Sequence, residues 1–144
     1  MRSPKKNKSV TNMILVFDTS ALSRFLSEDH TILQLVAGKE FDRYVIPLAV
    51  DAEIRFGFTY GARHTDNITK YERILQRLSF EVTCPNQETS LIYAELATWA
   101  RRHGISLSHN DIWIAATCSQ LGGRLITLDG DFKHLPQILQ VELR

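Results

Sequence analysis

The stretch Ile14-Leu15-Val16-Phe17-Asp18-Thr19-Ser20 decides the fold of this chain. Its unbroken apolar run predicts a strand that is buried on both faces, as in a parallel sheet. The run ends at Asp18, and the residues that follow change to helical spacing. Asp18 therefore lies where a central strand turns into a helix, the edge at which open α/β sheets bind their ligands. Helix capping is the competing role for an aspartate in this position.

The alternation of strands and helices continues through the rest of the chain. Further strands are predicted at residues 44–46, 79–83, 124–128 and 139–143. Helices are predicted at residues 19–26, 29–36, 49–60, 64–78, 87–103 and 111–121. This order predicts an α/β fold with three α/β/α layers, a mostly parallel central sheet and right-handed crossovers.

Composition and charge predict one folded domain with a basic arm in front of it. The chain has 144 residues, 44% of them hydrophobic and 23% charged, which is typical of a soluble globular domain. Arg2, Lys5, Lys6 and Lys8 lie in residues 1–12, which we expect to form a flexible arm. Removing those four charges from the net charge of +1 leaves −3 for the domain at residues 13–144. A slightly acidic domain argues against a broad electrostatic surface for nucleic acid.

The two cysteines, Cys84 and Cys118, have no paired spacing of the kind that disulfide frameworks or metal motifs show. The apolar run at the start is too short for a membrane span and carries Asp18, so it does not predict a signal peptide. We therefore expect a reducing, cytoplasmic setting.

Acidic residues that are distant in sequence are predicted to converge at one edge of the sheet. Asp18 and Asp129 each follow a strand. Asp111 begins a helix, and Glu53 lies near the start of the helix that leaves the second strand. Two of these acids have a purely structural alternative. The helix dipole alone favours an aspartate at the start of a helix, as at Asp111, and Asp129 resembles an ordinary turn residue.

Glu53 is the hardest of these acids to explain without a function, because it lies on the stripe of its helix that we expect to face the core. The other members of that predicted stripe are Ala49, Ala52, Phe56, Gly57 and Tyr60. An unpaired carboxylate is costly to bury, so Glu53 needs a cation, a hydrogen-bond network or a cleft. Asp51, in contrast, is expected at the surface.

Carboxylates gathered in one cleft repel each other unless a cation lies among them. Oxygen ligands without a matching set of His or Cys suit Mg²⁺ or Mn²⁺ rather than Zn²⁺. Ions held in this way activate water and stabilise the charge that develops when a phosphodiester is attacked.

The chain resembles the PIN-domain nucleases, and within them the VapC-type toxins of bacterial toxin–antitoxin pairs. The resemblance spans residues 13–144 and rests on an ordered set of individually weak motifs. These are Val16-Phe17-Asp18-Thr19-Ser20-Ala21-Leu22, Ala52-Glu53-Ile54-Arg55-Phe56-Gly57, Asn110-Asp111-Ile112-Trp113-Ile114-Ala115-Ala116 and Leu125-Ile126-Thr127-Leu128-Asp129-Gly130-Asp131-Phe132.

The resemblance implies a Mg²⁺-dependent endoribonuclease that cuts tRNA or ribosomal RNA. By family position Asp18, Glu53 and Asp111 match the core metal-binding, catalytic acids, and Asp129 matches a more variable fourth. Asp131 is a further candidate metal ligand, and Thr127 and Ser20 are candidates for supporting roles around the metal. Members are usually homodimers inhibited by a cognate antitoxin. The basic arm departs from the family pattern, since members usually begin near Met13.

Arg24, Arg55 and Lys133 lie near the acidic motifs, so we expect them to contact the RNA, with the arm as a non-specific tether. An antitoxin is expected on apolar residues of the first and third helices where these are exposed, and a place in the core is the alternative for each of them. The candidates are Leu22, Phe25, Leu26, Phe56, Phe58 and Tyr60.

A PIN nuclease of RNA processing and a non-catalytic PIN-like binding module remain alternative functions. A receiver domain is disfavoured, because Phe17 stands where such domains usually have an acid adjacent to Asp18. A haloacid-dehalogenase-like phosphatase is disfavoured because Ser20 stands where its second aspartate is required.

Overall fold

Five strands form one sheet in the computed structural model, which describes residues 13–135 and 139–142. The strands are β1 (Ile14–Phe17), β2 (Arg43–Pro47), β3 (Glu81–Thr83), β4 (Arg124–Thr127) and β5 (Leu139–Glu142). The helices are α1 (Thr19–Leu26), α2 (His30–Ala37), α3 (Leu48–Tyr60), α4 (His64–Arg77), α5 (Gln87–Arg102), α6 (His109–Leu121) and a short 3-10 helix (Gly130–His134).

The strand order is β3-β2-β1-β4-β5, and each neighbouring pair in this sheet is parallel. β1 is the central strand, and its Leu15 pairs with Tyr44 of β2 on one side and Arg124 of β4 on the other. The predicted strands and helices are present, with ends that shift by a few residues. Because all strands run the same way, the residues after β1, β2 and β4 share one edge of the sheet.

The burial of β1 explains its central position. Leu15, Val16 and Phe17 are 0% exposed, which is typical of a strand covered on both faces. The Phe17 ring packs against Phe25 of α1 and Phe80, with ring centroids 6.1 and 5.4 Å away. Fully burying such side chains contributes about 1.5–3 kcal/mol each, so β1 fixes the layout of its neighbours.

Two glycines bring β4 alongside β1. Gly122 ends α6 in the left-handed conformation, with φ of 63°, which glycine adopts at little cost. Gly123 then passes so close to β1 that a Cβ atom there would lie 2.8 Å from Val16 Cγ2. This close approach lets β4 pair with β1. The pairing places Thr127, at the end of β4, beside the end of β1, which Asp18 follows.

The predicted core-facing stripe of α3 is wrong. The buried residues of α3 are Val50, Asp51 and Ile54, whereas Phe56 and Tyr60 are 71% and 86% exposed. Apolar residues occur all around this helix, so spacing alone did not identify the side that meets the sheet. Glu53 is half-buried at the side of the helix.

The buried acid of α3 is Asp51, which was expected at the surface. The Tyr71 hydroxyl of α4 donates to Asp51 Oδ1 at 2.8 Å, and Arg55 Nε donates to Asp51 Oδ2 at 3.0 Å. A further bond of 3.0 Å runs from Arg55 Nη1 to Glu72 of α4. This network ties α3 to α4 and satisfies a carboxylate that is only 8% exposed.

Two of the apolar residues predicted to be exposed for an antitoxin are core residues instead. Leu22 is 0% exposed and Phe25 is 5% exposed, because the stripe of α1 that carries them packs into the core. Leu26 and Phe58 are half-buried.

The predicted basic arm, residues 1–12, lies outside the described residues, as do residues 136–138 and 143–144. Within the described ranges no helix combines the length and the apolar character needed to cross a membrane.

Replacing Tyr71 with Phe removes one donor from the buried Asp51 carboxylate and keeps the packing of the ring. We expect Tyr71→Phe to lower the free energy of unfolding by about 1–2 kcal/mol, measured by urea denaturation. Tyr60→Phe, at an exposed tyrosine, is the control and should leave it unchanged. Equal stabilities of the two variants would show that the hydroxyl of Tyr71 does not stabilise the fold.

Candidate active site at the carboxyl edge of the sheet

Asp18 follows β1 directly and is only 3% exposed. Its Oδ1 accepts a bond of 2.8 Å from the Ala21 backbone N–H and a bond of 2.9 Å from the Ser20 hydroxyl. Asp18 therefore caps α1, as the alternative interpretation holds. Capping occupies one carboxylate oxygen and fixes the direction in which the other points.

Thr127 engages that second oxygen from the neighbouring strand. As the last residue of β4, it donates its hydroxyl to Asp18 Oδ2 in a short hydrogen bond. The same hydroxyl oxygen accepts the Asp129 backbone N–H at 2.9 Å. Thr127 thus joins the ends of β1 and β4, and it brings Asp18 and Asp129 into one group.

The surroundings of Asp18 disfavour its charged form. Burial raises the pKa of the Asp18 carboxyl above its ordinary value, and the hydrogen bonds from Thr127, Ala21 and Ser20 lower this pKa in part. The nearby charge of Asp129 raises the pKa further. No Lys or Arg side chain that the structure describes forms an ion pair with Asp18. A cation at this edge would offset both the cost of burying the charged carboxylate and its repulsion from Asp129.

Glu53 and Asp111 belong to a second group, where α3 meets α6. The side-chain N–H of Asn110 donates to Glu53 Oε1 at 3.0 Å, which connects the two helices. Asp111, the next residue, forms a capping box with Ser108: its N–H donates to Ser108 Oγ at 3.1 Å, and its Oδ2 accepts from the Ser108 N–H at 3.4 Å. Asp111 therefore has a structural role at the start of α6.

The structure brings the predicted acids together only in part. Among the side chains that it describes, no three from His, Cys, Asp and Glu are arranged closely enough to hold a metal ion. The Asp131 side chain is outside that description. The chemistry of the donors nevertheless fits Mg²⁺ or Mn²⁺: the site has a buried carboxylate, a second carboxylate beside it and a hydroxyl between them.

The three predicted RNA-binding cations differ in their surroundings. Arg24 is exposed and pairs with Asp29 at 3.4 Å. Arg55 is engaged with Asp51 and Glu72, which favours a structural role for it. The Lys133 side chain lies outside the described residues.

Sequence reasoning missed an aromatic cluster that borders the second group of acids. Tyr93 of α5 lies against His109 and Trp113 of α6. His109 directly precedes Asn110 and Asp111, and helical spacing places Trp113 one turn further on. That spacing was visible in the sequence, but the contribution of Tyr93 from another helix was not.

A family model described as the PIN domain matches residues 15–138. The chain belongs to the PIN-domain family. Over 86 residues, this PIN domain is 29% identical to Ribonuclease VapC1 of Haemophilus influenzae (strain R2866). The match covers 60% of this chain and 63% of that relative, which is less than two thirds of the relative's length.

Solved structures of toxin–antitoxin proteins share the fold of this PIN domain. VapBC2 from Rickettsia felis, bound to a DNA fragment from the promoter, superposes with a TM-score of 0.82 at 22% identity, over 92% of this chain and 100% of that one. VapBC-1 from nontypeable Haemophilus influenzae gives a TM-score of 0.80 at 23% identity, over 90% and 98%. The likeness confirms the predicted three-layer α/β/α, PIN-like fold.

Thr127 can be tested as the residue that supports Asp18 in this PIN domain. Thr127→Val removes the donor to Asp18 Oδ2 and the acceptor for the Asp129 N–H, so it should lower the free energy of unfolding by about 1–3 kcal/mol. Thr127→Ser keeps the hydroxyl, so its free energy of unfolding should fall by less than that of Thr127→Val. The measurement is urea denaturation without added metal, and equal losses would contradict a role for the hydroxyl.

Proposed function

We propose that this protein is a Mg²⁺- or Mn²⁺-dependent endoribonuclease that hydrolyses phosphodiester bonds in RNA and acts as a VapC-type toxin. In this proposal tRNA or ribosomal RNA is the target, a cognate antitoxin neutralises the enzyme, and the setting is cytoplasmic. The proposal depends above all on one observation, the buried Asp18 carboxylate held beside Asp129 by Thr127. Membership of the PIN family and the similarity to Ribonuclease VapC1 support it.

In this proposal Asp18, Glu53, Asp111 and Asp129 hold the metal, with Asp131 as a further candidate. A bound Mg²⁺ would supply Lewis-acid chemistry, which lowers the pKa of a water nucleophile and neutralises charge on the phosphodiester.

The chain's own contribution is to orient the carboxylates before any ligand arrives. Ser20 and the N–H of Ala21 fix one oxygen of Asp18, and Thr127 fixes the other. Asn110 holds Glu53 across the cleft between α3 and α6. Outer hydrogen bonds of this kind orient metal ligands and tune their affinity.

The acids can be tested with a matched control. Asp18→Asn and Asp111→Asn should lower the rate of Mg²⁺-dependent RNA cleavage by at least about 100-fold, because an amide is a far weaker ligand than a carboxylate. Asp66→Asn is the control, since Asp66 is an exposed aspartate in the first turn of α4 and lies outside the site. It should cleave RNA at the wild-type rate.

Asparagine is a good N-cap in place of Asp18, and in place of Asp111 its side-chain oxygen can still accept the Ser108 N–H. Both variants should therefore remain folded, which circular dichroism and urea denaturation check. EDTA should stop the wild-type enzyme, and added Mg²⁺ or Mn²⁺ should restore it. Full activity in EDTA, or in both site variants, would refute the metal site.

The proposed antitoxin would dock at a cavity between α1, α3 and α4. The cavity has a volume of about 200 Å³ and is bordered by Leu26, Ile54 and Phe58, with Ser23 and Lys70 also lining it. Exposed apolar surface with a polar rim is typical of a protein interface. Phe56 and Tyr60, whose rings stack at 6.0 Å on the exposed side of α3, offer further apolar surface for the antitoxin or for a homodimer.

Filling the cavity should weaken antitoxin binding. Ser23→Trp adds a large ring at the cavity without removing a core contact, so it should reduce co-purification with the product of an adjacent small open reading frame. Ser90→Trp, at an exposed serine of α5, is the control. Both are made in the Asp18→Asn background so that cells tolerate the protein. Undiminished co-purification with Ser23→Trp would refute the docking site. If the wild-type protein cleaves RNA but has no such partner, RNA processing is favoured over a toxin role.

A further inference from the structure

We propose that the cavity between Tyr93, His109 and Arg101 is a nucleotide-binding subsite for the RNA substrate. It would hold one nucleotide of a single strand next to the phosphodiester that is cleaved, with its base on the aromatic rings and its phosphate on Arg101. This inference rests on the proposed ribonuclease function and adds residues that the family motifs do not include.

The aromatic cluster is held in place before any ligand binds. The Tyr93 ring lies 4.6 Å from Trp113 and 6.4 Å from His109, with only 16° between the planes of Tyr93 and His109. A hydrogen bond of 2.6 Å joins Tyr93 Oη and His109 Nδ1. Rings that are already fixed lose little conformational entropy when a base stacks on them. His109 is exposed, so a base can reach it.

The position of the cluster connects it to the proposed reaction. His109 is the first residue of α6, followed by Asn110, which bonds Glu53, and by Asp111. These residues lie within one helical turn, a rise of about 5 Å. Asp111 lies about 200° around α6 from His109, so a strand that crosses the start of the helix would carry a nucleotide on His109 next to a phosphate held by the acids.

The cavity suits a nucleotide in size and chemistry. Its volume of about 320 Å³ lies at the lower end of small-molecule sites. Tyr93 and His109 line one part of it, and Ala97, Ala100 and Ile112 contribute apolar surface. Arg101 also lines it, is exposed, and has no ion pair in the part of the chain that the structure describes. Single-stranded RNA is bound by this combination of aromatic rings and local cations.

A free cation matters because the domain has no general attraction for RNA. Residues 13–144 carry a net charge of −3, so phosphate contacts depend on individual side chains. Arg55 is occupied by two carboxylates and Arg24 by one.

A second aromatic–histidine pair, at the C-terminal end of α5, provides an internal control. Trp99 and His103 stack there at 4.2 Å and 21°, and Arg102 lines a cavity with them. His103 is an exposed histidine that packs on an aromatic residue of α5, as His109 does. Arg102 is an exposed arginine next to Arg101. The acid that lines the control cavity is Glu95, which is not one of the proposed metal ligands.

The first experiment measures binding of a short fluorescein-labelled single-stranded RNA of mixed sequence by anisotropy. The full chain carries Asp18→Asn so that the RNA stays intact. His109→Ala should raise the Kd at least about fivefold, the low end of the cost of one lost stacked base. His103→Ala should change it less than about twofold, within the ordinary variation between exposed sites.

Arg101→Gln should weaken binding and lower the dependence of log Kd on log salt by about 0.7, the value for one phosphate contact on a single strand. Arg102→Gln should leave the slope unchanged. Tyr93→Phe keeps the ring and should bind RNA more tightly than Tyr93→Ala.

The second experiment separates binding from chemistry in the otherwise wild-type enzyme with Mg²⁺. His109→Ala should raise KM about fivefold and leave kcat unchanged, because a stacking contact is made equally in the ground and transition states. Fluorescence offers a further measure of binding. In Trp99→Phe, Trp113 is the one remaining tryptophan, and because it packs against Tyr93, RNA bound at the subsite should quench the tryptophan fluorescence.

Three results would overturn the subsite. The first is equal loss of RNA affinity in the His109 and His103 variants, or in the Arg101 and Arg102 variants. The second is competition by AMP or UMP as strong as that of RNA, which would indicate a site for free nucleotides. The third is unchanged RNA affinity with a changed molecular mass in solution, which would indicate contact between copies of the chain. Failure of the wild-type protein to cleave RNA would instead refute the proposed function. The two failures can be distinguished, because the anisotropy experiment measures binding and requires no cleavage.

Discussion

The short hydrogen bond from Thr127 to Asp18 is the contact on which the arrangement of the site depends. It forms only because β4 pairs in parallel with β1, and that pairing needs the close passage of Gly123 over Val16. A carboxylate buried at the end of a fully apolar strand is costly unless its oxygens are satisfied. Ser20, Ala21 and Thr127 satisfy them, and the cost that remains appears as the raised pKa of Asp18.

The second group of acids is organised by a different principle. Glu53 and Asp111 lie on helices rather than at strand ends, and a side-chain bond between Asn110 and Glu53 connects those helices. The position of α3 is fixed from its other side by the Asp51 network with Tyr71 and Arg55. Asp51 thus stabilises the fold, while Glu53, two residues later on α3, contacts α6 through Asn110. Helical rotation of about 200° between them accounts for the division of roles.

The same helix shows how a sequence pattern can lead to a wrong face. The i, i+3, i+4 rule selected Phe56 and Tyr60 as core residues, yet both are largely exposed. An apolar stripe indicates that one face of a helix is buried in some contact. Whether that contact is with the core of the same chain or with another molecule depends on tertiary packing. The exposed aromatic residues of α3 are therefore candidates for an interface, and Leu22 and Phe25 are part of the core.

The sequence by itself determined the strand–helix order, the buried β1, the positions of Asp18 and Asp129 after strands and the PIN-domain motifs. These follow from local patterns, because an apolar run or a capping residue acts within a few residues of itself. Only the tertiary structure decided that Asp51 is buried, that Arg55 is engaged with two carboxylates, and that Tyr93 joins His109 and Trp113. Each of those features depends on side chains from two helices, and the relative rotation of two packed helices is not encoded in the spacing of either one.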